Sequence, residues 1–114
     1  MAKFQRLKRR SDFGRVFKFG RTVGDRYIVL FILGNGRGEG RIGFTSQRSA
    51  GSAVKRNRIR RRMRALFSLF APDMKACGDM IVLGKKAVLS EDWDRLVQSM
   101  RRLLVKGGCL DKRM

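Results

Sequence analysis

The 114-residue sequence contains no histidine, one proline, two cysteines, and one each of tryptophan and tyrosine. Without histidine there is no imidazole acid or base, no Ser-His or Cys-His nucleophile pair, and no His-containing zinc site. Cys77 and Cys109 are too few for an all-cysteine zinc site or a disulfide framework, and they suit a reducing compartment. Long apolar runs are missing too. The longest covers residues 27–33, far short of the roughly 20 residues that span a bilayer. No apolar stretch of signal-peptide length follows the basic N-terminus. The expected location is the cytoplasm, with no membrane partner.

Negative charge is equally scarce: 9 acidic side chains face 28 basic ones, for a formal charge of +19. Residues 1–64 hold 19 basic and 3 acidic groups, and residues 65–114 hold 9 and 6, so the charge is concentrated in the first part of the chain. A charge this large repels itself in a compact state, and a polyanion relieves the repulsion. Nucleic acid is the leading candidate, bound by phosphate neutralisation that weakens steeply with salt. Arg outnumbers Lys by 19 to 9, which favours forked phosphate contacts and stacking over point-charge contacts. A solvated basic surface or attraction to anionic lipid are the blander alternatives. With 43% hydrophobic residues the chain can still bury a core, and its length suits one domain.

The pattern of residues predicts a short helix over 11–19, with Ser11 as N-cap and Gly20 as stop. Residues 23–33 read as one strand that is apolar on both faces. A Gly-rich turn at 34–40 and a second strand at 41–46 suggest a hairpin or part of a meander. Over 52–70 the helical period is clear: Ile59, Met63, Leu66 and Phe70 share one face, while Asn57, Arg61, Arg64 and Ser68 share the other. Pro72 bars continuation. Residues 80–83 form a further strand, and Ser90 caps a last helix that ends at Gly107-Gly108. The order is αβββαβα with one of the three middle strands left open. It describes an α+β, single-domain, two-layer sandwich on a mainly antiparallel sheet.

The informative stretch runs from strand 41–46 through the Gly51 loop into a helix opening with Arg56-Asn57-Arg58 and continuing Arg60-Arg61-Arg62-Met63-Arg64. Physically, such a loop brings backbone N–H groups to phosphate and the helix adds Arg forks. The whole arrangement resembles the bacterial ribonuclease P protein subunit, whose long helix opens with an Arg-Asn-Arg motif after a strand and a Gly-containing loop. Arg6-Leu7-Lys8-Arg9 and the stretch from Asp12 to Gly20 are similar to that family's amino-terminal pattern. The likeness covers nearly the whole chain.

The resemblance implies a ribosomal protein S5 domain 2-like fold with a left-handed βαβ crossover, against the general right-handed rule. It implies a ribonucleoprotein that removes the 5′ leader of precursor tRNA, with catalysis by the RNA subunit and Mg²⁺ held mainly by that RNA. The partners are then the catalytic RNA and precursor tRNA, with no obligate protein partner. In the family a leader-binding cleft lies between the sheet and the long helix. Phe13, Phe17 and Phe31 match its aromatic positions and Arg9 a basic one. Phe at these spacings is ordinarily core material, although one ring can pack an edge and expose a face. Arg56, Asn57, Arg58, Arg60, Arg61 and Arg64 match the family's RNA contacts, with Arg48 in the preceding loop. Arg62, beside the apolar stripe, is the weakest candidate. No residue is assigned to catalysis or to a metal.

The sequence departs from the family at Arg48-Ser49, where paired Lys is common, at Ser52, where Asn is common, and at Phe31, where Tyr is common. Glu91, Asp92 and Asp94 lie at the start of the last helix, where acidic groups favour the helix dipole. Residues 1–10 are expected to be loose and to order on RNA. The rival reading is an architectural, ribosomal-type RNA-binding protein. An independent metal nuclease is disfavoured by the missing histidine and sparse carboxylates.

Overall fold

A computed structural model describes residues 4–36 and 39–112. Its elements are β1 (Phe4–Arg6), α1 (Arg10–Phe19), β2 (Arg21–Gly24), β3 (Ile28–Leu33), β4 (Gly40–Ser46), α2 (Ala53–Phe70), β5 (Asp79–Gly84) and α3 (Trp93–Lys106). The strands form one sheet in the order β1-β4-β5-β3-β2. The β1/β4 and β4/β5 pairs are parallel, and the β3/β5 and β2/β3 pairs antiparallel. The sheet is therefore evenly mixed where a mainly antiparallel one was expected.

Side-chain alternation along the central strands decides which helix covers which face. Ile28, Leu30 and Ile32 of β3 and Met80 and Val82 of β5 are buried in one cluster with Ile59, Met63, Leu66 and Phe67 of α2 and Leu96, Met100, Leu103 and Leu104 of α3. Gly84 continues this face: a Cβ there would lie 2.4 Å from Ile59, so only glycine lets α2 approach so closely. Ile81 points the other way, into a second cluster with Leu7, just after β1, and with Val16 of α1. The sandwich of α2 and α3 on the sheet is thus joined by α1 on the opposite face.

Three departures from the expected elements have local causes. Residues 23–33 form two strands instead of one, because Asp25 makes a turn: its Oδ1 accepts from the backbone N–H groups of Tyr27 (2.8 Å) and Ile28 (3.0 Å). Such a side chain offers the backbone an alternative to the sheet ladder. Its other oxygen accepts from the Ser99 hydroxyl, which ties the turn to α3. The expected pairing of β3 with β4 does not form either. Strand β5, whose Met80-Ile81-Val82 run is fully buried, takes the central place between them. Finally, α3 begins at Trp93 with Asp92 at its N-cap position, and not at Ser90. The Ser90 N–H instead closes a short 3₁₀ turn on the Ala87 carbonyl.

Strand β1 escaped notice because three residues show no period. It pairs Phe4, Gln5 and Arg6 with Gly40, Arg41 and Ile42, and Leu7 beyond it is 2% exposed. Of the amino-terminal segment expected to be loose, residues 1–3 lie outside the described residues and 4–10 are built into the fold. The acidic group before α3 serves structure: Glu91 accepts from the Asp92 N–H at 2.8 Å and from the Tyr27 hydroxyl. Among the described residues, no helix is long and apolar enough to cross a membrane.

One charge is wholly buried among the described residues, that of Asp79. Arg41 grips it as a fork, Nε to Oδ1 at 2.8 Å and Nη2 to Oδ2 at 2.6 Å. Asn35 Nδ2 donates to Oδ1 at 2.8 Å, and Arg15 of α1 reaches Oδ2 at 3.5 Å. Arg41 also holds Asp12 of α1 at 3.2 Å. Burial raises the Asp79 pKa, but the Arg41 and Asn35 hydrogen bonds and the Arg41 and Arg15 charges outweigh it and hold the carboxyl below its ordinary value. A depressed carboxyl pKa stabilises the fold above the unfolded value, about 3.9. That stability is lost as pH falls through the folded-state value. Asp79→Ala, which leaves Arg41 with Asp12 as its one carboxylate partner, should cost about 3 kcal/mol in urea unfolding at neutral pH, the low end of the range for breaking a buried pair. Asp79→Asn should show a shallower loss of stability than the wild type when the pH is lowered below about 4.

Candidate nucleic-acid interface

The arginine and aromatic candidates are brought to distinct surfaces. Phe31 pairs with Ile81 across β3 and β5 and so points to the α1 face, away from α2. Helix α1 lies over this face and sets Phe17 on Phe31, edge to face, with ring centroids 4.9 Å apart. Phe13 follows one turn earlier, 6.4 Å from Phe17, and rests on β4 where a Cβ at Gly43 would come within 2.5 Å of its ring. The edge-to-face and tilted pairs are favourable arrangements for ring quadrupoles.

Burial separates the three rings. Phe13 and Phe31 are half-buried, whereas Phe17 is 41% exposed. Val29 and Leu83, on the same sheet face as Phe31, are also half-buried, so α1 leaves part of this face open. Arg9 is exposed at the N-cap position of α1, its carbonyl accepting from the Phe13 N–H at 3.1 Å. The aromatic cleft is thus formed by the sheet and α1. The expectation that it lies between the sheet and the long helix is corrected: the apolar stripe of α2 packs on the opposite face.

On α2, Ser52 caps the helix by accepting from the Lys55 N–H at 3.3 Å, which starts the helix just before the arginines. Arg56 folds back to donate to the Gly51 carbonyl at 2.6 Å. That bond closes the loop at a residue with φ 124°, where glycine is at ease. The Asn57 side-chain oxygen accepts from Arg60, giving the asparagine a positioning role. Arg58 and Arg61 are exposed and have no partner among the described residues. Arg48, also exposed, opens the 3₁₀ turn before the helix. Arg62 donates to the Val88 carbonyl and lies 5.8 Å from the Trp93 ring centroid. That makes it a structural residue.

Arg60 and Arg64 behave differently from their neighbours. With Phe13 they line a groove of about 930 Å³ beside β1 and β4, and Arg64 lies over the Phe44 ring at 5.4 Å. The groove meets the aromatic cleft only at Phe13; Phe17 and Phe31 are not part of its lining. Sequence reasoning missed Phe4 and Phe44 in this groove: β1 is too short to show a period, and nothing local in β4 marks Phe44 as lying where β1 stops short.

The comparisons with known proteins decide the family. The ribonuclease P family model matches residues 1–107. The chain belongs to the ribonuclease P protein family. A ribonuclease P protein component from Natranaerobius thermophilus is 33% identical over 112 residues, covering 98% of this chain and 97% of that one. The solved ribonuclease P protein of Staphylococcus aureus superposes with a TM-score of 0.79 at 26% identity, covering 93% and 97% of the two chains. That of Thermotoga maritima gives 0.75 at 27% identity, covering 88% and 94%. As a ribonuclease P protein subunit, the chain is a tRNA-processing component partnered with the ribonuclease P RNA.

Because Arg58 and Arg61 support no internal contact, Arg58→Ala/Arg61→Ala should change unfolding stability by no more than about 0.5 kcal/mol. If both meet phosphate, the logarithmic salt slope of RNA-subunit binding should fall by about two, measured by filter binding across salt concentrations.

Proposed function

We propose that this subunit holds the catalytic RNA against the arginines of α2 and Arg48, and the single-stranded 5′ leader of precursor tRNA against Arg9, Phe13, Phe17 and Phe31. Residues 1–114 then act as one RNA-binding domain in the cytoplasm. Cleavage of the leader is the work of the RNA subunit, and the protein raises affinity for the leader-bearing substrate.

The observation that carries this reading is the exposure of Phe17. A ring needed only for packing is normally covered, yet Phe17 sits on Phe31 and leaves its remaining surface to solvent beside an open sheet face. Unpaired bases stack on such rings while basic groups follow their phosphates. An architectural RNA-binding protein needs the arginine helix but has no use for this aromatic cleft.

Mg²⁺ is assigned to the RNA because the carboxylates of this chain that lie beside α1, and those beside α3, are already engaged. Asp12 and Asp79 are neutralised by Arg41 and Arg15. Asp25 is held by Ser99 and two backbone N–H groups, and Glu91 by Tyr27. The protein's share of the chemistry is electrostatic: its arginines offset the repulsion between two RNA chains, which lowers the cation concentration the assembly needs.

Phe17→Ala should weaken binding of leader-bearing precursor to the assembled enzyme by about 1–3 kcal/mol, while binding of mature tRNA stays unchanged. Equal loss for both ligands would contradict the leader cleft.

A further inference from the structure

We infer that the groove beside β1 seats an unpaired nucleotide of the catalytic RNA, its base on Phe4 and Phe44 and its phosphates between two pairs of cations. The inference rests on the proposed reading that the basic face of α2 meets that RNA.

The groove is a consequence of strand length. Strand β1 ends opposite Ile42, whereas β4 continues to Ser46. The notch left beside Gly43 and Phe44 is bounded on its far side by α2. One wall carries Arg6 and Lys8, both exposed, and the other carries Arg60 and Arg64. No acidic side chain lines it. The aromatic floor is fixed from below: the buried Phe67 ring meets Phe4 at 5.1 Å and Phe44 at 5.7 Å, both edge to face. Phe4 and Phe44 themselves stay half-buried.

This combination selects a ligand chemistry. Cations alone would bind any polyanion, and rings alone any apolar group. Rings flanked on both sides by cations, with nothing acidic, suit a planar base whose neighbouring phosphates run along the walls. A base in a duplex is stacked on its neighbours and cannot lie on the floor, so the nucleotide is unpaired. The volume of about 930 Å³ falls within the range of roughly 300–1,000 Å³ for ligand clefts. Arg64, now lying over Phe44, would be displaced towards phosphate or stack on the far side of the base. The RNA subunit is preferred over the leader because two of the four cations are on α2, one and two turns beyond Arg56-Asn57-Arg58. The exposed ring of the leader cleft, Phe17, lies on the other face of the sheet.

The test uses the full chain, the transcribed RNA subunit, and precursor and mature tRNA. Arg6→Ala/Lys8→Ala removes two exposed side chains, so its melting temperature should match the wild type. Its salt slope for RNA-subunit binding should fall by about one to two. Phe4→Leu/Phe44→Leu keeps apolar bulk but removes the stacking faces, and should weaken RNA-subunit binding about ten-fold or more at unchanged slope. Two results overturn the inference. One is unchanged affinity and slope for Arg6→Ala/Lys8→Ala, which decides the matter even if the Phe variant fails to fold. The other is a loss seen only in precursor-over-mature discrimination, which would make the leader the occupant. If Arg58→Ala/Arg61→Ala weakens RNA-subunit binding while the groove variants do not, the inference fails and the proposed function stands. If none of the three weakens it, the proposed function fails with it.

Discussion

The molecule depends on how it handles one buried carboxylate. In a chain with a formal charge of +19, Asp79 lies at the start of the central strand, fully buried, and draws Arg41, Arg15 and Asn35 to it. Breaking such a cluster leaves a charge stranded in a poor solvent, so its members are locked to one arrangement. Arg41 and Asp79 sit directly across from each other in the β4/β5 register, so the ion pair fixes the parallel pairing at the centre of the sheet. Arg15 and Asp12 carry the same network into α1. Helix α1 has few buried side chains of its own, Val16 being the one fully covered. Electrostatics does much of the work of docking it, and that docking places Phe13 and Phe17 over β4 and β3.

The same economy of core explains how a small protein presents several open surfaces. The α2 and α3 face of the sheet is filled by large apolar residues and closed. The α1 face is only partly covered, which leaves an aromatic cleft. The short β1 leaves a notch at the edge, and the outer side of α2 projects arginines into solvent. Each of these features is a place where the sandwich stops short of full coverage. Self-repulsion among the basic residues makes a polyanion partner favourable at all of them.

Much of this was legible in the sequence, and the reasons for the rest are physical. Helix α2 could be read because its apolar stripe and Arg stripe keep a 3.6-residue period over 18 residues. Its candidate RNA contacts could be named because they resemble a family motif at the same place. The turn at Asp25 was hidden, since one aspartate between two apolar stretches looks the same whether it bends the chain or lies on a strand. Strand order was hidden as well: local pattern predicts neighbours in sequence, whereas β5, the most deeply buried strand, enters between β3 and β4. The cleft was assigned to the wrong helix, because a sequence shows that Phe31 alternates with its neighbours but not which face receives α2. The Asp79 network joins residues up to 64 positions apart, and nothing local marks it.

The central claim is that the chain supplies binding surfaces to an RNA that performs the cleavage. The most direct measurement is precursor-tRNA cleavage at low Mg²⁺ with a bacterial catalytic RNA, with and without this protein, and with the protein alone. The account predicts correct 5′-end formation when RNA and protein are combined, and none from the protein by itself. Magnesium-dependent cleavage by the protein alone, persisting through further purification, would contradict it.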